Sequence, residues 1–372
     1  MRILFTRFPL ESAFGGAEVQ TLALMRELLK RGHAVQFLGS CPVLLAESPK
    51  LGVQTTTLDI GPPPVTKAGA LTFAWRRFAM QRALIQAVQS LPQPPEAVCM
   101  LSLSEKLLLT EWLAGQGARV LWIEHDRVGN WLRWNPWLTL LKRAASRATI
   151  VCVSELSRLI FARLGFRAER TVSIPNGIDV ERLKNAPPAA PRPEGAPLRV
   201  GCVARLSEEK GVDVLVHAMR QVPQATLDIV GSGPQEGFLH KIILELEQAE
   251  HQSGRIRIQA RTEDLPAFYR LLDVLVLPSV ENDPFGLVAG EAMAMGIATV
   301  VTDKCGIAGH VQAGRDALVV KSGDVAALAK ALLSLTDPAV RTALAAAGPA
   351  LVAESLSIAA MVDAYEKLLK NS

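Results

Sequence analysis

The sequence predicts an α/β protein with two doubly wound domains, each built on a parallel sheet. Short apolar, β-branched runs alternate with helical segments on both sides of one Pro-rich stretch, residues 187–197. The length of 372 residues suits two domains with separate cores. We therefore expect a first domain at residues 1–183, a linker at 184–197, a second domain at 198–354, and a C-terminal helix at 355–372 that crosses back to the first domain.

The apolar runs give the strands of both domains. In the first domain we expect strands at Arg2–Phe8, Ala34–Leu38, Ala97–Leu101, Val120–His125, Thr149–Val153 and Thr171–Ile174. In the second domain we expect strands at Leu198–Arg205, Thr226–Val230 and Val274–Ser279, and helices at Val212–Gln221 and Phe285–Gly296.

Composition and charge narrow the class of protein. With 49% hydrophobic and 20% charged residues, the chain is globular and not disordered. The first 186 residues hold 23 Lys and Arg against 14 Asp and Glu, a net +9, whereas the rest hold 17 against 22, a net −5. Nucleic acid is disfavoured as a partner, because neither a binding motif nor an extreme pI is present.

Four tryptophans lie among arginines and lysines in the basic half. They are Trp122, Trp131, Trp134 and Trp137. Such a mixture suits reversible contact with an anionic membrane surface, or a phosphorylated lipid acceptor. Alternatively, the tryptophans anchor the helix that begins at Pro136 to its own sheet.

The cysteines and the first residues of the sequence indicate the cellular compartment of the protein. The five cysteines, at positions 41, 99, 152, 202 and 305, lack metal-ligand spacing and suit buried thiols in a reducing cytoplasm. The chain has no run of eighteen apolar residues, and its start predicts a strand and not a signal peptide. We therefore expect a cytoplasmic protein, at most peripheral at the inner face of the membrane.

Residues 281–291 form the most informative stretch of the chain. A buried strand leads to Asp283, and the predicted helix then begins with the free backbone amides of Phe285, Gly286, Leu287 and Val288, which suit a phosphate. Asp283 and Glu291 would bind the two ends of one elongated ligand, such as a nucleotide diphosphate-sugar. Alternatively, Asp283 with Pro284 is an ordinary helix cap, and Glu291 is an exposed helix residue.

A second set of residues follows other strands of the same domain. Arg205 and Lys210 flank a loop after the strand at Leu198, where they could neutralise a diphosphate from two sides. The next strand ends in the turn that contains Gly231 and Gly233. These loops should converge at the carboxyl edge of one sheet. The alternative is an ordinary solvated, charged loop.

Five motifs together resemble the retaining glycosyltransferases of family 4, which have the two-domain GT-B fold. They are, in chain order, residues 15–18 (GGAE), 174–179 (IPNGID), 205–211 (RLSEEKG), 230–234 (VGSGP) and the acidic pair of Asp283 and Glu291. The resemblance covers nearly the whole chain. It implies two Rossmann-like domains that face each other across a cleft, a nucleotide-sugar donor, and no metal or other cofactor.

The resemblance also implies roles for individual residues. Arg205 and Lys210 would hold the donor diphosphate, Glu291 the ribose hydroxyls, and Asp283 the sugar. His125 would act near the transferred sugar. The predicted catalytic residues are thus His125, Asp283, Arg205 and Lys210, and the donor-binding residues are Gly15, Gly16, Arg205, Lys210, Gly231, Gly233, Arg261, Phe285, Gly286, Leu287, Val288 and Glu291.

The sequence departs from the family pattern at three positions. The first acidic residue is usually Glu and here is Asp283, Gly290 replaces a large aliphatic residue, and His310 replaces a frequent glutamate. We expect a hexosyltransferase that uses a UDP- or GDP-linked sugar and a sugar or lipid-linked acceptor, in cell-surface polysaccharide or glycolipid synthesis. The alternatives are a non-catalytic sugar-nucleotide-binding scaffold, and a dinucleotide-dependent oxidoreductase that would use Gly231, Gly233 and Gly237.

Overall fold

The chain folds into two compact α/β units. The structure, a computed structural model, describes residues 1–10, 15–127, 130–184, 195–250, 254–262 and 264–371. The first unit contains Met1–Gly177 together with Ile358–Ser372, and the second contains Ile178–Ser357. The chain therefore leaves the first unit at Gly177 and returns to it at Ile358.

The first unit is built on a seven-stranded parallel sheet. Its strands follow the order β3-β2-β1-β4-β5-β6-β7, and they are β1 (Arg2–Arg7), β2 (Ala34–Gly39), β3 (Gln54–Thr57), β4 (Ala97–Met100), β5 (Arg119–Glu124), β6 (Thr149–Cys152) and β7 (Thr171–Ser173). Its helices are α1 (Gly16–Lys30), α2 (Pro42–Glu47), α3 (Lys67–Gln89), α4 (Leu103–Gly115), α5 (Leu138–Ala145), α6 (Glu155–Arg163) and, from the carboxyl end of the chain, α14 (Ile358–Asn371).

The second unit has a six-stranded parallel sheet. Its strands follow the order β10-β9-β8-β11-β12-β13, and they are β8 (Leu198–Val203), β9 (Ala225–Val230), β10 (Ile256–Gln259), β11 (Val274–Leu277), β12 (Ala298–Thr302) and β13 (Leu318–Val320). Its helices are α7 (Val180–Lys184), α8 (Val212–Met219), α9 (Glu236–Glu250), α10 (Leu265–Arg270), α11 (Leu287–Ala294), α12 (Val325–Ser334) and α13 (Pro338–Ser355).

Both sheets have the strand order of a doubly wound fold, which confirms the predicted fold class. The central strands are buried on both faces, so they read as continuous apolar runs, as in β4 (AVCM) and β11 (VLVL). In each unit the winding direction reverses between two neighbouring strands near the middle of the sheet. These strands are β1 and β4 in the first unit, and β8 and β11 in the second unit. Ligands of such folds bind at the carboxyl ends of the strands beside this reversal.

The domain limits differ in detail from the prediction. Helix α7 packs within the second unit, so this unit begins at Ile178 and not after a linker. Most of the predicted linker, residues 185–194, lies outside the described residues. The C-terminal helix α14 packs against α1, and Met361, Val362, Tyr365 and Leu369 lie in the same core as Ile3 and Phe5.

The cysteines and tryptophans have different environments. All five cysteines are free and buried, and burial raises the pKa of Cys99 to about 12. Trp122 is fully buried and donates to Thr110 Oγ1 at 3.0 Å, while Trp137 packs edge-on against Phe73 at 5.0 Å. The two anchor the unit as the alternative interpretation expects, whereas Trp131 and Trp134 are exposed. Within the described ranges, no helix is long and apolar enough to cross a membrane.

Candidate functional site

The two predicted cations of the second unit follow the strand at its topological reversal. Arg205 and Lys210 lie in the segment after β8, and Asp283 lies in the segment after β11. Because β8 and β11 are neighbours in a parallel sheet, their carboxyl ends meet. The structure thus brings together residues that are 73 positions apart in the sequence.

Each of these cations already has a carboxylate partner. Lys210 Nζ donates to Asp283 Oδ2 at 2.7 Å, and both side chains are largely buried. Ser279 Oγ donates to the same oxygen at 3.3 Å. Arg205, which is exposed, pairs with Glu209 one turn along the loop. An incoming diphosphate would either share the two cations with these carboxylates or displace them, because Lys and Arg side chains have further donors.

The helix after Asp283 begins later than predicted. Helix α11 starts at Leu287, and its N-cap is Gly286 in the left-handed conformation, with φ 96°. A Cβ at Gly286 would lie 2.7 Å from Leu277 Cδ2, which could shift, so it is the left-handed backbone that favours glycine here. The prediction that the helix starts at Phe285 was wrong, because two backbone hydrogen bonds, from Gly306 N to Asp283 O and from Ile307 N to Phe285 O, hold residues 283–285 outside the helix.

The corrected start leaves a smaller anion site than predicted. The amides of Gly286, Leu287 and Val288 donate to no backbone oxygen within the described parts of the chain. Helix α11 has eight residues, so its N-terminus retains a favourable dipole for a phosphate. The ordinary capping alternative is also excluded, since Pro284 is not in the first turn of α11 and Asp283 binds Lys210 instead.

Glu291 is held in place by two side chains. Tyr269 donates from its hydroxyl to Glu291 Oε2 at 2.7 Å, and Arg182 Nη2 lies 3.5 Å from Oε1. Burial raises the pKa of Glu291, while the bond from Tyr269 and the charge of Arg182 oppose this rise. The side chain is therefore not an ordinary solvated helix residue. One carboxylate oxygen is oriented by a buried phenol, and the other faces a cation that a ligand hydroxyl could replace.

The glycines after β9 have a packing role. A Cβ at Gly231 would lie 1.8 Å from Ala204 O, and one at Gly233 would lie 2.4 Å from Leu206 O. The turn therefore runs directly along the segment that carries Arg205, and Leu206 N donates to Ser232 O at 2.9 Å. These glycines shape the loop of the cations. Arg261 is exposed after β10, with β9 between its strand and β8.

One departure from the family pattern has a structural counterpart. At Gly290, an added Cβ would lie 2.7 Å from Cδ1 of Ile178. The side chain of Ile178 thus fills the space that a larger residue at position 290 would take. His310, which is another of the three departures, packs near Phe285 with ring centroids 6.0 Å apart.

The glycine loop of the first unit leads directly into α1. Gly15 is the N-cap of α1 and Gly16 its first residue. In the first turn, Glu18 is buried and pairs with Arg7 Nη2 at 2.7 Å. Two further nitrogens of Arg7, Nε and Nη1, are buried without a hydrogen-bond partner among the residues that the structure describes. A buried cation with unused donors thus lies beside the glycine loop, at the carboxyl end of β1.

His125 follows β5 and has an unusual environment. Both ring nitrogens are shielded from solvent, and no hydrogen bond of good geometry reaches them in the described part of the chain, although the side chain of Asn176 is near enough to oppose the fall in pKa. Burial and the charge of Arg7 lower the pKa of His125 to about 4. The imidazole is therefore neutral near pH 7, so it can accept or donate a hydrogen bond but carries no charge.

A cavity of about 290 Å³ lies at the reversal point of the first sheet. Its walls are mainly apolar, with Phe8, Leu10 and Trp131 among them. Its charged lining residues include Arg7 and the buried pair of Lys106 and Glu124, whose Nζ and Oε1 are 2.8 Å apart. Such a cavity suits a ligand with an apolar body and a polar end.

Several residues of these sites gave no signal in the sequence. Tyr269 and Arg182 lie in separate helices, and only the tertiary fold brings them to Glu291. Ser279 was included in a predicted strand without any role. Arg7 directly follows the first apolar run, and its position at a strand end could have marked it.

Solved structures with the same architecture are found among glycosyltransferases. The structure of Anabaena Alr3699/HepE in complex with UDP has a TM-score of 0.81 and 18% identity, and the similarity covers 100% of both chains. The structure described as "Trehalose-6-phosphate from E. coli bound with UDP-2-fluoro glucose" has a TM-score of 0.75 and 15% identity, and the similarity covers 100% of this chain and 99% of that chain. At such identities the likeness shows the shared GT-B fold.

Curated proteins with similar sequences align with part of the chain. A GDP-mannose-dependent alpha-(1-6)-phosphatidylinositol monomannoside mannosyltransferase of Mycolicibacterium smegmatis is 32% identical over 227 residues, which are 56% of this chain and 59% of that protein. The lipopolysaccharide core biosynthesis glycosyltransferase LpsE of Rhizobium meliloti is 32% identical over 178 residues, 48% of this chain and 51% of that one. The chain thus spans between half and two thirds of the length of these curated relatives.

Family models match both units. Residues 14–182 match the model described as Glycosyltransferase Family 4, and residues 197–337 match the model described as Glycosyl transferases group 1. The two matches together cover most of the chain, and they agree with the motifs and with the fold. The chain belongs to the glycosyltransferases of family 4 and group 1.

Proposed function

We propose that this protein transfers a sugar from a nucleotide-diphosphate sugar to a sugar or lipid-linked acceptor, with retention of the anomeric configuration and without a metal. The observation that carries the proposal is the group of cations and carboxylates at the reversal point of the second sheet. There Lys210 meets Asp283, and Glu291 is oriented by Tyr269. Family membership supplies the class of reaction.

Breaking the bond between the anomeric carbon and the diphosphate leaves negative charge on the departing oxygens. Arg205, Lys210 and the amides at the start of α11 are the groups that would stabilise this charge. Glu291 would accept hydrogen bonds from the ribose hydroxyls, and Asp283 would bind the sugar. By resemblance, His125 and Gly16 of the first unit would act on the sugar and the phosphates.

The identities of the acceptor and of the donor base are proposed from the relatives. The M. smegmatis relative is named for GDP-mannose and a phosphatidylinositol mannoside, and the R. meliloti relative for lipopolysaccharide core synthesis. We therefore favour a GDP- or UDP-linked hexose and a glycolipid or cell-surface polysaccharide product. Such an acceptor would bring the enzyme to the inner face of a membrane. The oxidoreductase alternative has no support from the family.

The test combines donor screening with product stereochemistry. A thermal-shift panel of UDP, GDP, ADP and NAD should identify one nucleoside diphosphate that raises the melting temperature, because a ligand of the folded state stabilises it. Transfer from the matching sugar nucleotide should then proceed in EDTA, and proton NMR should show the donor's configuration in the product. An inverted centre, or activity abolished by EDTA and restored by magnesium, would contradict the proposal.

The remaining alternative is a scaffold that binds the donor and transfers nothing. It would show the same thermal shift, but neither sugar transfer nor slow donor hydrolysis in any acceptor screen. His125→Ala separates the two possibilities further: for an enzyme we expect turnover to fall far more than donor affinity.

A further inference from the structure

Helix α3 is apolar on two opposite faces. Its inner face packs Phe73, Met80 and Leu84 into the core of the first unit. Its outer face carries Leu71, Trp75 and Phe78, whose exposed fractions are 67%, 80% and 65%. Nothing in the described part of the chain covers these three side chains, so the helix exposes apolar surface that its own fold does not bury.

The outer face forms a continuous stripe with a cation at each end. Lys67, Leu71, Trp75, Phe78 and Arg82 are spaced by four, four, three and four positions, so they lie along one side of the helix. We call these five residues the α3 stripe. Lys67 and Arg82 are both exposed. All 23 residues of α3 include no aspartate or glutamate.

The helix is firmly attached, so the stripe is presented by a rigid element. Trp137 Nε1 donates to Ala70 O at 2.8 Å, and Asn135 Nδ2 donates to Pro64 O at 2.7 Å just before the helix. The same segment carries Trp134, which is 80% exposed and has the guanidinium of Arg133 5.8 Å from its ring. A second exposed aromatic and cation therefore lie in the segment that holds α3.

We propose that the α3 stripe docks on the surface of an anionic lipid bilayer. Tryptophan and phenylalanine enter the boundary between headgroups and acyl chains, while lysine and arginine at the stripe's ends bind anionic headgroups. A helix without carboxylates meets no repulsion from such a surface. The docking does not depend on the transferase activity, although it would bring the apolar cavity of the first unit to its lipid-linked acceptor.

The charges of the stripe argue against a second copy of the chain as the occupant. In a symmetric antiparallel contact, the cation at one end of each stripe would face the cation at the other end of the next. No acidic residue of α3 could offset this repulsion. An anionic bilayer supplies the missing negative charge along the whole stripe.

The experiment measures binding of the full chain to vesicles by sedimentation. We expect binding to vesicles of phosphatidylcholine with phosphatidylglycerol, little binding to phosphatidylcholine alone, and weakening with added salt. Trp75→Ser with Phe78→Ser should abolish binding. Lys67→Gln with Arg82→Gln should weaken it roughly fivefold per cation removed.

Matched controls remove the same chemistry elsewhere. Phe238→Ser with Leu244→Ser removes exposed apolar side chains of the second unit, and Lys330→Gln removes an exposed cation of α12. Both controls should bind vesicles as the parent protein does. Trp75→Phe should keep vesicle binding but reduce fluorescence quenching by brominated lipids, which places this side chain in the bilayer.

Three outcomes of the vesicle experiments would overturn the proposal, and a fourth comes from the oligomeric state. The three are equal sedimentation with neutral and anionic vesicles, unchanged binding by the folded Trp75 and Phe78 variant, and unchanged quenching in Trp75→Phe. A concentration-dependent dimer in analytical ultracentrifugation that these stripe variants abolish would assign the stripe to a second copy and reject the bilayer.

Discussion

Replacing Lys210 by alanine should weaken both donor binding and the fold. Removing one partner of a buried ion pair costs about 3–5 kcal/mol. Lys210 is 22% exposed and Ser279 still donates to Asp283, so we expect a smaller loss. A loss of roughly 2 kcal/mol would lower the melting temperature of a unit of this size by about 4–8 °C. The lost contact with the diphosphate should weaken its binding by roughly ten- to hundredfold.

A second variant separates the two effects. In Lys210→Ala with Asp283→Asn, no carboxylate is left buried without a cation, so the melting temperature should recover most of the loss. The affinity for the nucleoside diphosphate should stay low, because the cation is still absent. Calorimetry and thermal denaturation of the parent and both variants measure these quantities.

Two outcomes would contradict these expectations independently of each other. If Lys210→Ala binds UDP and GDP as tightly as the parent protein does, the cation does not hold the diphosphate. If the double variant is as unstable as the single one, the unpaired Asp283 is not the cause of the instability. As a matched control, Lys330→Ala removes an exposed cation of α12 and should change neither quantity.

Three further predictions concern buried polar groups. Tyr269→Phe removes the hydroxyl that orients Glu291 and should weaken nucleoside binding by roughly 1.5–3 kcal/mol. If the parent protein binds ribose and 2′-deoxyribose nucleotides with equal affinity, Glu291 does not bind the ribose hydroxyls. Because the pKa of His125 is lowered to about 4, its neutral ring adds stability that is present above about pH 6.5 and lost as the pH falls toward 4. The turnover profile should accordingly show no histidine step between about pH 5 and 8, and a step near 6.5 would contradict the buried, neutral ring. The pKa of Glu105 is raised by burial from 4.5 to about 7, so its contribution to stability is full at low pH and lost as the pH rises through 7. Glu105→Gln should therefore melt higher relative to the parent at pH 8 than at pH 5, and a pH-independent difference would count against it.

The sequence predicted most of the two sheets because their strands are buried. Continuous apolar runs marked β4, β6 and β11, whose starts agree with the prediction and whose ends lie one or two residues earlier. Strands β3, β10, β12 and β13 were not predicted. Strand β3 (QTTT) is a polar, partly exposed edge strand with neither an apolar run nor alternation. Strand β12 (ATVVT) was missed although all five of its residues are buried, so burial on both faces marks many of the strands but not all of them.

The sequence pointed to the charged residues of the candidate site but not to the residues that contact them. Motifs identified Lys210, Asp283 and Glu291, and the fold brings the first two into contact. The late start of α11 could not be predicted, because Asp283 and Pro284 also match an ordinary cap and the left-handed Gly286 depends on chain packing. Tyr269 is linked to Glu291 only through the tertiary fold.

The outer face of α3 shows a different limit of sequence patterns. A helix with one apolar and one polar face is easily recognised by its periodicity. In α3 the inner and outer faces are both apolar, so the pattern along the chain shows no single side. Only the exposure of Trp75 and Phe78 in the folded structure distinguishes the face that packs from the face that does not.

The return of the chain at Ile358 has a consequence for biosynthesis. Helix α14 supplies Met361, Val362, Tyr365 and Leu369 to the core that contains the first strand, Arg2–Arg7. On the ribosome, this core stays open on one side until helix α14 has emerged. The second unit is encoded wholly within residues 178–357 and can close earlier. A nascent chain that stalls before α14 therefore exposes apolar surface of the first unit, and a chaperone would have to shield it until α14 has been made.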